Sequence, residues 1–161
     1  VYYNGVNIRM AQLIGLEQVE ILKAKADLKY LDKEVGSGAI GFLPKAIPAI
    51  DFLNNLKSLL NTNTIKHTKL LEGNIKKVAI CGGAGRFLLP EAMAQNADIF
   101  ISSDFKYHEF FDADNQIIIA DIGHFESEQH TIRLLHEILT ENFNNFAVHY
   151  TKVNTNPVNY L

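Results

Sequence analysis

A single cysteine, Cys81, in 161 residues excludes an internal disulfide, and a lone thiol suits a reducing compartment. Long hydrophobic runs are missing as well. No apolar stretch approaches the roughly 20 residues that span a bilayer, and no secretory pattern opens the chain. A soluble, cytoplasmic protein is therefore expected. Positive charge is not in excess: the formal net charge is −3. Binding phosphate backbones requires a basic face, so nucleic acid is not the expected main partner. There is no HExxH and no paired CxxC, so local motifs alone cannot complete a mononuclear zinc site. Internal repeats, low-complexity tracts and linkers are absent too. The chain opens Val-Tyr-Tyr-Asn-Gly without an initiator methionine, which leads us to expect a processed or partial chain.

What is present is enough for one ordinary domain. With 47% hydrophobic and 20% charged residues, the chain should fold around a substantial core. Apolar spacing predicts a helix over residues 6–16, capped by Asn4 or Asn7 and ending near Gly15. A short strand is expected at 19–22, then a charged stretch, 23–36, of weak helical or loop character. The segment GSGAIGFLP reads as a glycine-rich loop or strand rim, either a plain turn or the lining of a site. Pro48 should open a helix with Ile50, Leu53, Leu56, Leu59 and Leu60 on its apolar face. An edge strand is expected within 65–71.

From Lys77 the pattern becomes regular. Strands at 78–81, 99–102 and 117–120 alternate with helices at 88–95, 106–111 and 127–143, and a last strand is expected at 147–153. Such alternation implies parallel βαβ units with right-handed crossovers.

In a parallel sheet the strand ends gather on one side, where ligands bind. Three polar segments fall there. The first, CGGAGR, invites a dinucleotide reading, with Gly83 and Gly85 as the first glycines of GxGxxG and Asp104 near the place of the ribose-binding acid. Leu88 occupies the third glycine position and no Walker Lys-Ser/Thr follows, so this reading is weak. The turn could still offer backbone N–H groups to an anion, with Arg86 nearby. The second, SSDFKYHE, places Asp104, Lys106 and His108 within five residues: an acceptor, a cation and a titratable imidazole. A solvated polar loop would look the same. The third, ADIGHFESE, carries Asp121, His124, Glu126 and Glu128. Side chains at i and i+4 of a helix share a face about 5–6 Å apart at Cβ, so His124 and Glu128 could grip one cation suited to hard or borderline ligands. The alternative is an exposed histidine and a glutamate favoured by a helix N-terminus. His67, His130, His136 and His149 stand isolated, and Cys81 reads as a small buried residue.

The order of these motifs, VAICGGAG, then NADIFISSDFKYHEFFDA, then IIIADIGHFESE, resembles the C-terminal part of the NIF-three-like family, whose members are catalogued as GTP cyclohydrolase 1 type 2 homologs. GSGAIGFLP resembles the family's G-x-G-x-I-G-x-L-P, VNIRMAQLIGLEQVEILK its helix leading to LGL…ILKP, and VNTNPVNYL the ending of some bacterial members. The resemblance implies an α/β protein with a layered α-β-α fold and a mixed, largely parallel sheet. It implies one domain over residues 1–161, lacking the family's N-terminal ligand-bearing segment, and assembly as a toroidal homohexamer. It further implies a dinuclear metal centre of Zn, Fe, Mn or Mg, with His124 and Glu128 as the late metal ligands and His108 and Lys106 as candidate catalytic residues. The family's His-His pair and Asp would lie upstream of Val1, so about half a metal centre is expected here. Ser103 in place of a glycine, and Arg86-Phe87 after CGGAG, depart from the family pattern. The implied function is metal-dependent hydrolysis of a small, nucleotide-like or phosphorylated substrate. The alternative is a non-enzymatic metal-binding or regulatory interaction protein, and a nucleotide-binding module stands third.

Overall fold

A computed structural model describes residues 4–30 and 33–161. The elements run α1 (Val6–Ile14), β1 (Glu17–Tyr30), β2 (Lys33–Pro48), α2 (Ala49–Leu59), β3 (Lys66–His67), β4 (Asn74–Ile80), α3 (Leu89–Ala94), β5 (Ile99–Ser102), β6 (Ile118–Asp121), α4 (His124–Glu128) and α5 (Thr131–Asn142). Two 3-10 turns, Arg86–Leu88 and Tyr107–Ala113, join them. The strands form one sheet in the order β1-β2-β4-β5-β6-β3. Pairing is parallel across β4-β5-β6 and antiparallel at β1-β2, β2-β4 and β6-β3. The sheet is mixed as expected, with its parallel part confined to the three central strands.

Those strands are aliphatic because both faces are covered. Alternation sends Val78, Ile80, Ile99, Ile101, Ile118 and Ala120 to one face, where Met10 of α1 and Phe52, Leu53 and Leu56 of α2 pack on them. Ala79, Phe100 and Ile119 face the other way, against Leu88, Leu89 and Ala92 around α3. Each large side chain so buried contributes about 1.5–3 kcal/mol. Helices on both faces of one sheet make the layered α/β architecture.

Residues 23–36, expected as helix or loop, instead form the far half of β1 and the start of β2; residues 31 and 32 lie outside the described ones. The cause is tertiary. Cross-strand partners such as Lys23↔Ser37 and Ala24↔Gly36 hold an extended chain whose own residues are mostly polar. Gly36 permits the approach: a Cβ there would stand 2.1 Å from the Lys23 carbonyl oxygen and 2.4 Å from Ile21. GSGAIGFLP lies within β2 rather than in a loop.

α1 ends at Gly15 in the left-handed region, as read, but its N-cap is Gly5 without a side-chain bond. α2 follows Pro48; Phe52 completes its buried face, while Ile50 and Leu59 are about half exposed. The helix expected over 127–143 is broken near Gln129 and starts earlier, at His124. No strand forms at 147–153; the segment after Asn142 is irregular. No helix among the described residues is long and apolar enough to cross a membrane.

Candidate metal centre

The parallel strands β4, β5 and β6 deliver their following turns to one edge of the sheet. The CGG turn after β4 is held from three sides. Gly82 N–H donates to Asn7 Oδ1 of α1 at 2.8 Å, and Gly83 N–H to Ser127 Oγ of α4 at 2.8 Å. Gly85 N–H donates to Ser102 Oγ at 2.9 Å, whose hydroxyl in turn donates to the Gly83 carbonyl at 2.9 Å. The N–H groups of the three glycines in this turn are thus spent inside the protein. Arg86 is turned to Asp112 at 2.5 Å and Glu109 at 3.8 Å. The turn is a brace for α4.

What it braces is the pair His124 and Glu128. His124 Nε2 lies 3.5 Å from Glu128 Oε2, across one turn of α4. His124 Nδ1 lies 2.5 Å from Asp104 Oδ2, in the turn after β5. A carboxylate accepts, so Nδ1 carries the proton. In the neutral ring, Nε2 then presents a lone pair toward a second carboxylate, and two acceptors facing each other call for a cation between them. A proton can fill that role: the Asp104 hydrogen bond lifts His124 above its ordinary pKa, with the Asp104 and Glu128 charges adding to it and burial opposing. A divalent metal could be held there by the same two atoms. Metal-bound histidines commonly give their other N–H to a carboxylate in this way. Space is kept by Gly83, at φ +67, where a Cβ would stand 2.8 Å from Glu128 Oε1 and 3.4 Å from His124 Nε2. The residues present fit a divalent cation as part of its shell. Among the described residues, no group of three or more His, Cys, Asp or Glu side chains is placed to hold one alone.

The other acids of the motif do different work. Asp121 is buried and accepts from the backbone of Phe105 and of Gly123, each at 3.1 Å, and from Lys66 Nζ at 2.8 Å. Glu126 is buried and accepts from Asn156 Nδ2 at 3.2 Å. Burial, then Glu126 and Asp121, push the Tyr160 hydroxyl up, with Lys66 opposing. His130 gives Nε2–H to the Val6 carbonyl at 3.0 Å inside the fold, and burial lowers its pKa.

A cavity of about 990 Å³ opens beside the pair, with Asp104, Asp121, His124, Glu126 and Glu128 in its wall. Lys106 and His108 are exposed, at the start of the 3-10 turn that follows Asp104, and do not line this cavity. Lys106 N–H is bonded to Glu109 Oε2 at 2.8 Å, which caps the turn. Sequence reasoning found His124, Glu128 and Asp104 but not that Asp104 holds His124. It did not foresee that Asn7, Ser102 and Ser127 hold the CGG turn, nor that Tyr160 reaches the site from the far end of the chain.

Fold and site together define a layered α/β protein with a His-Glu pair beyond the strand ends of a mixed sheet. The chain belongs to the Duf34/NIF3 (NGG1p interacting factor 3) family, whose model matches residues 1–157. It is 32% identical over 133 residues to a GTP cyclohydrolase 1 type 2 homolog of Staphylococcus epidermidis, covering 80% of this chain and 36% of that protein. The homolog of the same name from Clostridium perfringens is 31% identical over 125 residues, covering 77% and 46%. The chain thus spans less than half the length of these curated relatives. Among solved structures, a Bacillus cereus protein related to NIF3 superposes with a TM-score of 0.84 at 17% identity, covering 100% of this chain and 71% of that one. A Staphylococcus aureus hypothetical protein gives 0.82 at 24% identity, covering 100% and 65%. At such identities the likeness speaks for the fold.

Proposed function

We propose that the protein is a metal-dependent hydrolase of a small, nucleotide-like or phosphorylated substrate. The observation that carries this reading is His124 Nε2 facing Glu128 at 3.5 Å while Asp104 holds Nδ1. The relatives' name supports the nucleotide-like class and no finer one. His124 and Glu128 would hold the metal, and Asp104 would fix the imidazole tautomer. Divalent ions, when bound, supply a Lewis acid and a water acidified toward neutral pKa. Lys106 would meet a substrate anion and His108 would carry a proton, both from exposed positions at the start of the turn after Asp104. Assembly as a homohexamer belongs to the same proposal and is tested by light scattering.

The experiment pairs metal analysis with hydrolase rates on the intact protein. His124→Ala should lose both. His108→Gln should keep its metal and lose about 10²–10⁴-fold in turnover, the range of general acid–base catalysis. Metal loss in His108→Gln would make His108 a ligand, and no change in either quantity would leave it a surface residue.

A second reading, metal binding or regulation without turnover, is favoured by one observation: no three-ligand group forms among the described residues. Catalytic zinc usually has three protein ligands and a water. Metal retained with no rate on any hydrolase substrate supports this second reading.

A further inference from the structure

The cavity beside His124 has a wall that α4 and the sheet do not supply. Thr151, Val153, Thr155, Asn156, Pro157, Val158 and Tyr160 come from the irregular C-terminal segment and line the same space as His124 and Glu128. One side-chain bond ties that segment to the motif: Asn156 Nδ2 donates to Glu126 Oε1 at 3.2 Å. Glu126 is buried and stands midway between His124 and Glu128, so the tie reaches the turn that presents both. Three bonds from backbone N–H groups to side chains shape the segment locally: Val153 N–H to Thr151 Oγ1 at 3.0 Å, Asn156 N–H to Asn154 Oδ1 at 2.9 Å and Val158 N–H to Asn156 Oδ1 at 3.1 Å. Asn156 therefore both bends the segment and anchors it. At its end, the Tyr160 hydroxyl lies 3.3 Å from where a Cβ on Gly123 would stand.

The segment brings apolar side chains that its own packing leaves uncovered. Val153 is 72% exposed, Val158 53% and Tyr160 40%. Phe125 and Ile132 line the cavity from the other side. Mostly apolar pockets with a few placed polar groups take small molecules, and the volume of about 990 Å³ lies at the upper end of such sites. A ligand held at His124 and Glu128 by a coordinating end would lay its body along this wall.

We propose that Asn156 and Tyr160 are positioning residues: through them the C-terminal segment forms the selecting wall of the candidate metal site, which takes a small molecule with an apolar body and one metal-coordinating end. This rests on reading His124 and Glu128 as metal ligands.

The test uses the intact, zinc-loaded protein and two hydroxamates that share a coordinating end and differ in body, acetohydroxamate and benzohydroxamate, with binding followed by calorimetry and zinc by elemental analysis. Wild type should bind benzohydroxamate more tightly. Asn156→Ala and Tyr160→Ala should cut that preference by about tenfold, equal to 1.4 kcal/mol of selective contact. Zinc content and acetohydroxamate affinity should stay unchanged. Tyr160→Phe keeps the ring and should keep most of the preference, an outcome that general loosening of the tail would not give. Zinc and both probes bound, with the preference the same in every variant, overturns the selecting wall alone. Protein that holds no zinc, or binds neither probe, overturns the metal reading and this proposal with it.

Discussion

Asp104, just past β5, and Asp121, the last residue of the neighbouring parallel strand β6, lie close to the same histidine turn, yet they are in opposite states. Asp121 is 2% exposed and accepts from two backbone N–H groups and a lysine. Asp104 is 47% exposed at its side chain, has φ +61, and is bound to an imidazole that is itself 55% exposed. One carboxylate is saturated by the fold; the other is held out to solvent on a backbone conformation that aspartate tolerates at some cost. A buried acid with every partner internal fixes a corner. An exposed acid that orients a histidine leaves that histidine's other nitrogen for something from outside. The ends of two neighbouring strands thus divide into scaffold and site.

The largest effect that would break this division is on the site. His124→Ala should abolish metal retention and turnover in the intact protein, while urea unfolding shifts by less than about 1 kcal/mol, because an exposed side chain contributes little to stability. A large stability loss would place His124 in the scaffold with Asp121.

Asp121→Ala should do the reverse. It strands the Phe105 and Gly123 amides, each costing about 1–3 kcal/mol when buried without a partner. A loss of about 3 kcal/mol in urea unfolding is expected. Lys66→Ala should cost under about 1 kcal/mol, since the lysine end of that pair is 61% exposed and solvent-screened. If the two substitutions cost the same, the ion pair rather than the amides is what Asp121 provides.

The same split governs what the sequence discloses. The three parallel strands were legible because burial on both faces leaves unbroken apolar runs, as at Ile99, Phe100 and Ile101. His124 and Glu128 were legible because both sit on one short helix. The β1-β2 hairpin was not, since its strands are paired by partners such as Tyr30↔Lys33, and exposed polar residues like Lys23 and Lys25 carry no hydrophobic signal. Nor was the break at Gln129, where the side-chain amide donates to the Leu60 carbonyl at 2.7 Å, a contact from another part of the chain. Asp104 and His124 are 20 residues apart, and only the parallel register that sets Ser102 opposite Asp121 brings them together. Long-range pairings of polar groups leave no periodic trace, and the site consists mostly of these.

Gly83 lies in the braced turn and against the Glu128 carboxylate, so it touches both regions. Gly83→Ala places a methyl 2.8 Å from Glu128 Oε1 on a backbone at φ +67. A strained alanine there costs about 1–3 kcal/mol. Glu128 is 44% exposed at its side chain and can swing away. The variant should fold with that modest penalty and lose metal affinity sharply, as calorimetry with zinc would read. Unchanged affinity would mean that Glu128 is not held against His124 in the working site.

The smallest expected effect concerns Cys81, which lies at the floor of the CGG turn and is 6% exposed. Burial, followed by the charge of Glu128, pushes its thiol from 9.0 up to about 11. At neutral pH the folded protein therefore holds a protonated thiol, and the thiolate is the reactive species. A raised folded pKa means that the native state keeps its proton where the unfolded chain gives it up. Stability from this group is complete below pH 9 and is lost as pH rises from 9 toward 11. Native protein at pH 7.5 should react with a disulfide reagent far more slowly than the urea-unfolded chain, and Cys81→Ser should leave metal content and turnover unchanged. Rapid labelling of the native thiol, or metal lost in Cys81→Ser, would instead move Cys81 from the scaffold to the site, joining Asp104 and Glu128 rather than Asp121.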